Sequence, residues 1–288
     1  KLRYSVDISP EPAYYVALCP DGLRFRVYFM SSDPSSAGTL PQLIQRAAAC
    51  YGDKIAISDG QYQLSYRQLD AARIAAAKAF LAAGLEKGDR IAVWAPNIPL
   101  WIMAAIGAQS VGGVLVPLNT RLKGAEAAYI LRASGAKLLF TVSDFLDVSY
   151  PDLLQQEDLP DLQQIVMLSG SADGTIPWQT FLAGGSAVAG TVLAAASEAI
   201  APADTLDILF TSGTTGKPKG VVTSHGQNIR VFANWSATVG LRSDDTYLII
   251  NPFFHSFGYK AGWMAAFIRG AKIIPVKSFD LDAVLAQI

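Results

Sequence analysis

Residues Ile208 to His225 read ILFTSGTTGKPKGVVTSH, an apolar strand that feeds a loop built almost wholly of Gly, Ser, Thr and Lys. Such a loop is suited to holding phosphate. Gly213 and Gly216 permit positive φ and let successive backbone N–H groups converge on an anion. Thr211, Ser212, Thr214 and Thr215 add hydroxyls, while Lys217 and Lys219 add positive charge. Pro218 between the lysines restricts φ and lowers the entropy lost when the loop is ordered. The spacing is neither that of a Walker loop nor that of Gly-x-Gly-x-x-Gly. The bland alternative is a polar surface turn between two strands.

With 288 residues the chain has room for one large domain or two small ones, each with a buried core. Lys plus Arg number 23 and Asp plus Glu 24, so no field of one sign points to nucleic acid or an anionic membrane. Any phosphate affinity must be local. Cys19 and Cys50 are the only cysteines, too few for a disulfide framework and without metal-ligand spacing, which favours a reducing, cytoplasmic setting. His225 and His255 are the only histidines, which argues against a histidine-rich metal site. Residues 98–118 approach the length of a membrane span, but Pro99, Gly107, Gly112 and Gly113 interrupt it. A helix packed on a sheet, followed by a buried strand over Val114 to Pro117, accounts for the same residues without lipid.

The first thirty residues lack the pattern of a signal peptide, although LRFRVYF alternates in polarity as a strand would. Residues 1–39 are expected to be an extension or a poorly ordered segment, and 40–288 a partial domain. From Leu40 onward helical and strand signals alternate. A helix from Leu40, strands over Lys54–Asp59 and Tyr62–Tyr66, a helix capped by Ser65 and Gln68 and closed by Gly84, and a strand over Arg90–Ala95 follow in order. Later come a helix over Gln227–Thr238, a strand over Thr246–Ile250, a helix over Gly258–Arg269 and a strand over Lys272–Val276. Ala183 to Ala203 reads as a variable connection, with a short helix as the alternative. Asp280 is placed to cap a last helix with Leu281, Val284, Leu285 and Ile288 on its apolar face, and the chain stops there. The rhythm predicts an α/β fold with mainly parallel, helix-covered sheets.

The phosphate loop resembles the signature of the AMP-forming adenylate-forming superfamily, which includes acyl-CoA synthetases, luciferases and adenylation domains of peptide synthetases. The likeness extends further. YGDKIAISDG with LSYRQLD, then GLEKGDRIAVWAPN and GGVLVPLNTRL, resemble successive early motifs of that family in the expected order. It runs from about Leu40 to Ile288 and implies a truncated version of the family's N-terminal domain, with the mobile C-terminal domain absent. The residues that in relatives grip the ribose, help hold magnesium and serve the adenylation step late in the chain would lie downstream. The isolated chain is therefore expected to be inactive.

The resemblance implies an AMP-forming acid–thiol ligase that uses ATP, Mg2+ and CoA, active in fatty acid metabolism. Thr211, Ser212, Gly213, Thr214, Thr215 and Gly216 would cradle the β- and γ-phosphates, Thr211 would contact magnesium and Lys219 would add catalytic charge. Lys217 stands at a variable place in the motif, which implies solvent exposure. In NPFFHSFGYK, His255 is the candidate gate of the acyl and nucleotide pocket, with packing between Phe254 and Phe257 as its structural alternative. His225 is read as structural.

Where amino-acid-activating relatives carry an aspartate, a histidine offers no fixed counter-charge, so a small-molecule carboxylic acid without an α-amino group is the expected substrate. Trp263, Met264 and Phe267 either line a roomy apolar pocket or belong to the core. The text NPFFHSFGYKAG looks most like medium-chain and alicyclic acyl-CoA ligases. The expected partners are the acid, ATP and CoA, with no nucleic acid and no membrane span, and with a homodimer left open. Two alternatives remain: an adenylation domain that delivers its acyl group to a carrier protein, and a truncated nucleotide-binding module without catalysis.

Overall fold

The computed structural model describes residues 14–18, 24–28, 33–60, 62–211 and 217–287. Ser212, Gly213, Thr214, Thr215 and Gly216 of the expected phosphate loop, and Ile288 of the expected last helix, lie outside the described residues. Strands β1 (Tyr14–Leu18) and β2 (Arg24–Tyr28) form an antiparallel hairpin and a sheet of their own. Packing against the body is under way by residue 34, where Pro34 is buried, followed by Ala37 and Thr39.

The expected helix α1 (Leu40–Tyr51) presents Leu40, Leu43, Ile44 and Ala47 inward. Strands β3 (Ile55–Ser58) and β4 (Gln63–Ser65) lead into α2 (Tyr66–Ala82), where Ser65 and Gln68 complete a reciprocal capping box. Beyond β5 (Arg90–Trp94) comes α3 (Pro99–Gln109), buried on every side, and then β6 (Val114–Pro117). Helix α3 lies against α2 closely enough that a Cβ at Gly107 would come within 2.5 Å of the Ala76 methyl. The apolar run over 98–118 is thus a core helix and a core strand, and among the described residues no single helix is long and apolar enough to cross a membrane.

Helix α4 (Gly124–Ser134) and β7 (Ala136–Val142) precede β8 (Gln164–Ser169), β9 (Ile176–Pro177), α5 (Trp178–Gly184) and α6 (Gly190–Glu198). The Ala-rich connection therefore holds a helix of nine residues. Strands β10 (Thr205–Thr211) and β11 (Lys219–Ser224) flank the Gly-rich loop, and α7 (His225–Thr238) and β12 (Thr246–Ile249) follow. The segment expected as one helix over Gly258–Arg269 divides. Phe257–Met264 is a π-helix with non-helical backbone at Gly262, and α8 (Ala265–Arg269) continues from it. Strand β13 (Lys272–Pro275) and α9 (Leu281–Leu285), capped by Asp280, complete the order. On α9 only Val284 is buried, while Leu281 and Leu285 are exposed, so the expected apolar face is not packed as a whole.

The strands form a seven-stranded sheet in the order β11-β10-β6-β5-β7-β8-β9 and a four-stranded sheet in the order β12-β13-β3-β4. Pairing is parallel except between β10 and β11 and between β3 and β4. Continuous apolar runs such as Ile91–Trp94 and Leu138–Phe140 are buried on both faces, as covered parallel sheets require.

Candidate active site

Three strand ends converge. Strand β10 pairs in parallel with β6 at Asp207 and Leu115 and antiparallel with β11 as far as Thr211 and Lys219. The chain leaves β6 through Pro117 and Asn119, and it leaves β12 through the turn that carries Phe254 and His255. Ligands of α/β sheets collect beyond the carboxyl ends of the strands, where backbone groups and loops are left without sheet partners. A cavity of about 720 Å³ lies there, within the range usual for small-molecule sites. Its walls are Leu122, Ala125, Tyr129 and Ile130 from α4 and its approach, Phe210 and Thr211 from β10, Lys217 and Pro218, and Phe254 with His255.

The cavity brings together Thr211, Lys217 and His255. Thr211 is exposed, and its hydroxyl reaches the Lys219 carbonyl only at 3.5 Å, which leaves it available to a ligand. Lys219 pairs with Thr211 across the hairpin but is not among the described lining residues, whereas the exposed Lys217 is. Cavity geometry thus brings forward the lysine that the motif reading set aside. Tyr129 from α4 donates to the Pro218 carbonyl at 3.4 Å and ties the end of the loop to the wall.

His255 is exposed and its ring tilts against that of Phe254 with centroids 4.6 Å apart. Phe257 turns away and packs edge-on against Trp235, so His255 is not sandwiched between two phenylalanines. Partial burial, aided by the positive charge of Arg121, holds the His255 pKa below the ordinary imidazole range. A neutral ring therefore faces the cavity at neutral pH. Glu126 also lines the cavity, with one carboxylate oxygen accepting the Lys123 backbone N–H at 2.8 Å.

Trp263, Met264 and Phe267 are fully buried and belong to the core, where Trp263 stacks on Tyr259. His225 is fully buried too. Its Nδ1 accepts the Leu40 backbone N–H at 3.1 Å, and burial lowers its pKa to about 4.

Two polar arrangements escaped the reading of the residues. Asn97, from the β5–α3 connection, accepts the Phe253 N–H at 2.7 Å and donates to the Asn251 carbonyl at 3.0 Å, so the turn before His255 hangs on a side chain from the other sheet. Lys260 forms a buried ion pair with Asp207 at 3.0 Å and also donates to Thr223 at 2.9 Å. Burial pushes the Asp207 pKa up against the pull of Lys260 and of the Thr223 hydroxyl, and it pushes the Lys260 pKa down against the pull of Asp207. A polar residue amid an apolar strand was the one signal for Asp207.

Among the described residues there is no group of three or more His, Cys, Asp or Glu suited to a metal ion. Thr211 offers a single hydroxyl, which fits an ion such as Mg2+ that keeps most of its ligands as water and phosphate oxygen.

The family described as AMP-binding enzyme matches residues 44–288. A Mycobacterium tuberculosis CoA ligase, named for a methyl-dioxo-octahydroindenyl propanoyl group, is 41% identical over 243 residues, which are 84% of this chain and 47% of that protein. The enzyme of the same name from Rhodococcus jostii is 37% identical over 257 residues, or 87% of this chain and 50% of that protein. The crystal structure of the N-terminal domain of FACL13 from Mycobacterium tuberculosis, with inhibitor bound, superposes with a TM-score of 0.72 at 27% identity, covering 86% of this chain and 59% of that one. The chain spans about half the length of the curated relatives it matches.

Proposed function

Because the chain belongs to the AMP-binding enzyme family, we propose that the protein it represents activates a carboxylic acid with ATP and transfers the acyl group to CoA. A carboxylate oxygen attacks the α-phosphorus of ATP, the bond to the bridging oxygen breaks, and pyrophosphate leaves an acyl-adenylate. The CoA thiol then attacks the acyl carbonyl and AMP departs. The observation that carries this reading is the convergence of Thr211, Lys217, Phe254 and His255 with the apolar face of α4 on one cavity.

The first step joins two anions, so shielding of charge and fixed geometry supply much of the catalysis. Thr211 to Gly216 would hold the β- and γ-phosphates, and Lys217 and Lys219 would offset their charge. Bound Mg2+ would neutralise phosphate oxygens, with Thr211 as its contact on this chain. His255, neutral and seated on Phe254, would border the carboxylate and separate the polar end of the cavity from its apolar wall.

The substrate proposed is an aliphatic or alicyclic acid. Leu122, Ala125, Tyr129, Ile130 and Phe210 offer it an apolar wall, and the names of the relatives support a bulky ring-bearing propanoate. The reading includes a cytoplasmic setting and a place in fatty acid metabolism. Carboxylate-dependent exchange of pyrophosphate into ATP by the complete polypeptide tests it. Exchange is expected with ring-bearing propanoates, and its absence with every carboxylate tried would refute the proposal.

A further inference from the structure

The elements bearing His255 and Thr211 are locked together deep in the protein. Asp207 stands four residues before Thr211 on β10, and Lys260 five residues after His255 in the π-helix. The Lys260 ammonium bonds to Asp207 on β10 and to Thr223 on β11, and Thr223 itself donates to Asp207 at 2.7 Å. One lysine thus grips both strands of the hairpin that carries the phosphate loop. The neighbouring residue is held as well. Gln109 of α3 donates to the Tyr259 hydroxyl at 2.7 Å and to the Leu206 carbonyl at 3.2 Å, so Tyr259 and Lys260 are joined to the consecutive residues Leu206 and Asp207.

Stability alone does not explain a charged pair here. Lys260 is 3% exposed and Asp207 fully buried, and removing two charges from water costs about as much as their attraction returns, or more. An apolar pair of similar volume would serve the core equally well. What a hydrogen-bonded pair adds is geometry, since its energy depends on distance and direction where apolar packing tolerates sliding. The segment it holds needs such a constraint. π-helices are rare overall and frequent at functional sites, and this one contains non-helical backbone at Gly262. The Tyr259 N–H bonds to the His255 carbonyl at 3.0 Å, so any slip of the π-helix is carried to His255.

We propose that the buried Lys260–Asp207–Thr223 cluster is a positioning device that sets the place of His255 relative to the phosphate-binding hairpin. It rests on the activity proposed above only for its kinetic consequence. The geometric claim stands apart from that.

The test is the double variant Lys260→Met with Asp207→Leu, which removes both charges and puts apolar side chains in their place. Three quantities are read on the complete polypeptide: melting temperature, carboxylate-dependent pyrophosphate exchange, and the imidazole NMR signals of His255 and His225, assigned by His255→Gln and His225→Gln. The expected result is an unchanged or higher melting temperature, an unchanged His225 signal and a displaced His255 signal. kcat for exchange is expected to fall by about ten- to a hundredfold, with KM for ATP changed less. Should the double variant not fold, Asp207→Asn keeps the shape of the side chain and is read in the same way. A folded variant with wild-type exchange and an unmoved His255 signal would overturn the proposal. Wild-type protein without exchange would count against the activity, and the His255 signal would then decide the positioning claim alone.

Discussion

Thr211 and Lys219 face each other across the antiparallel β10–β11 hairpin, so their side chains leave the same face of the sheet at the mouth of the Gly-rich loop. Lys217 reaches the cavity from the loop itself. Both lysines are exposed, and their effects should differ in kind. In the complete polypeptide Lys219→Ala should slow pyrophosphate exchange by the loss of a charge-assisted contact, about 1.5–3 kcal/mol. Lys217→Ala, a solvent-screened charge at the cavity wall, should mainly raise KM for ATP and cost no more than about 1 kcal/mol. Equal losses in kcat at both positions would contradict this division.

Asn97 gives the second prediction. Replacement by Ala leaves the buried Phe253 N–H without its acceptor and the Asn251 carbonyl without its donor. Such a group costs about 1–3 kcal/mol when unpaired. Asn97→Ala should lower the melting temperature and weaken carboxylate use more than ATP use, because the turn it supports carries Phe254 and His255. Asn97→Asp keeps the acceptor and should recover part of the loss. A kinetic profile that is unchanged in both variants would remove Asn97 from the site.

His225 should make the protein sensitive to acid. The unfolded imidazole titrates near 6.5 and the folded one at about 4, so between these values the unfolded chain takes up a proton that the folded chain refuses. This contribution to stability is whole above pH 6.5 and falls by roughly 3 kcal/mol as the pH drops to about 4. His225→Gln preserves an acceptor for the Leu40 N–H and should flatten the profile of melting temperature in that window. An equally steep profile in the variant would assign the acid sensitivity to other groups.

In the function proposed above, substrate class turns on His255. A neutral imidazole offers an α-ammonium no fixed counter-charge, and taking such a charge out of water without one costs several kcal/mol. Simple carboxylates should support pyrophosphate exchange and their α-amino counterparts should not. Glu126 is the one acidic residue on the described cavity wall, and its bond to the Lys123 N–H commits one oxygen to capping α4. Glu126→Gln should therefore leave the preference unchanged, whereas His255→Asp should impair the native acid and admit an amino acid weakly. Better exchange with an amino acid than with its deaminated analogue in wild-type protein would reverse the assignment.

Local chemistry was legible because it is written in neighbouring residues. The apolar stripe of Leu40, Leu43, Ile44 and Ala47, the Ser65–Gln68 capping box and the Gly-rich loop after Phe210 each depend on spacings of a few positions, and such spacings survive in the linear text. The core role of Trp263, Met264 and Phe267 was left open, since bulky side chains at helical spacing suit a pocket and a core alike. The apolar period of Phe257–Met264 fits an ordinary helix, and it does not record the widened turn or the non-helical backbone at Gly262. Asn97 and Phe253 lie 156 positions apart, and Asp207 and Lys260 53. Asn97 and Lys260 look unremarkable among their neighbours, and Asp207 shows only as a polar residue in an apolar strand. Folding makes them a site, because burial removes water as a partner and obliges each to find another across the fold. The sequence carried most of the helices and strands and the likeness of one loop to a phosphate-binding signature, whereas which strand ends meet, and which lysine reaches the cavity between them, followed from packing.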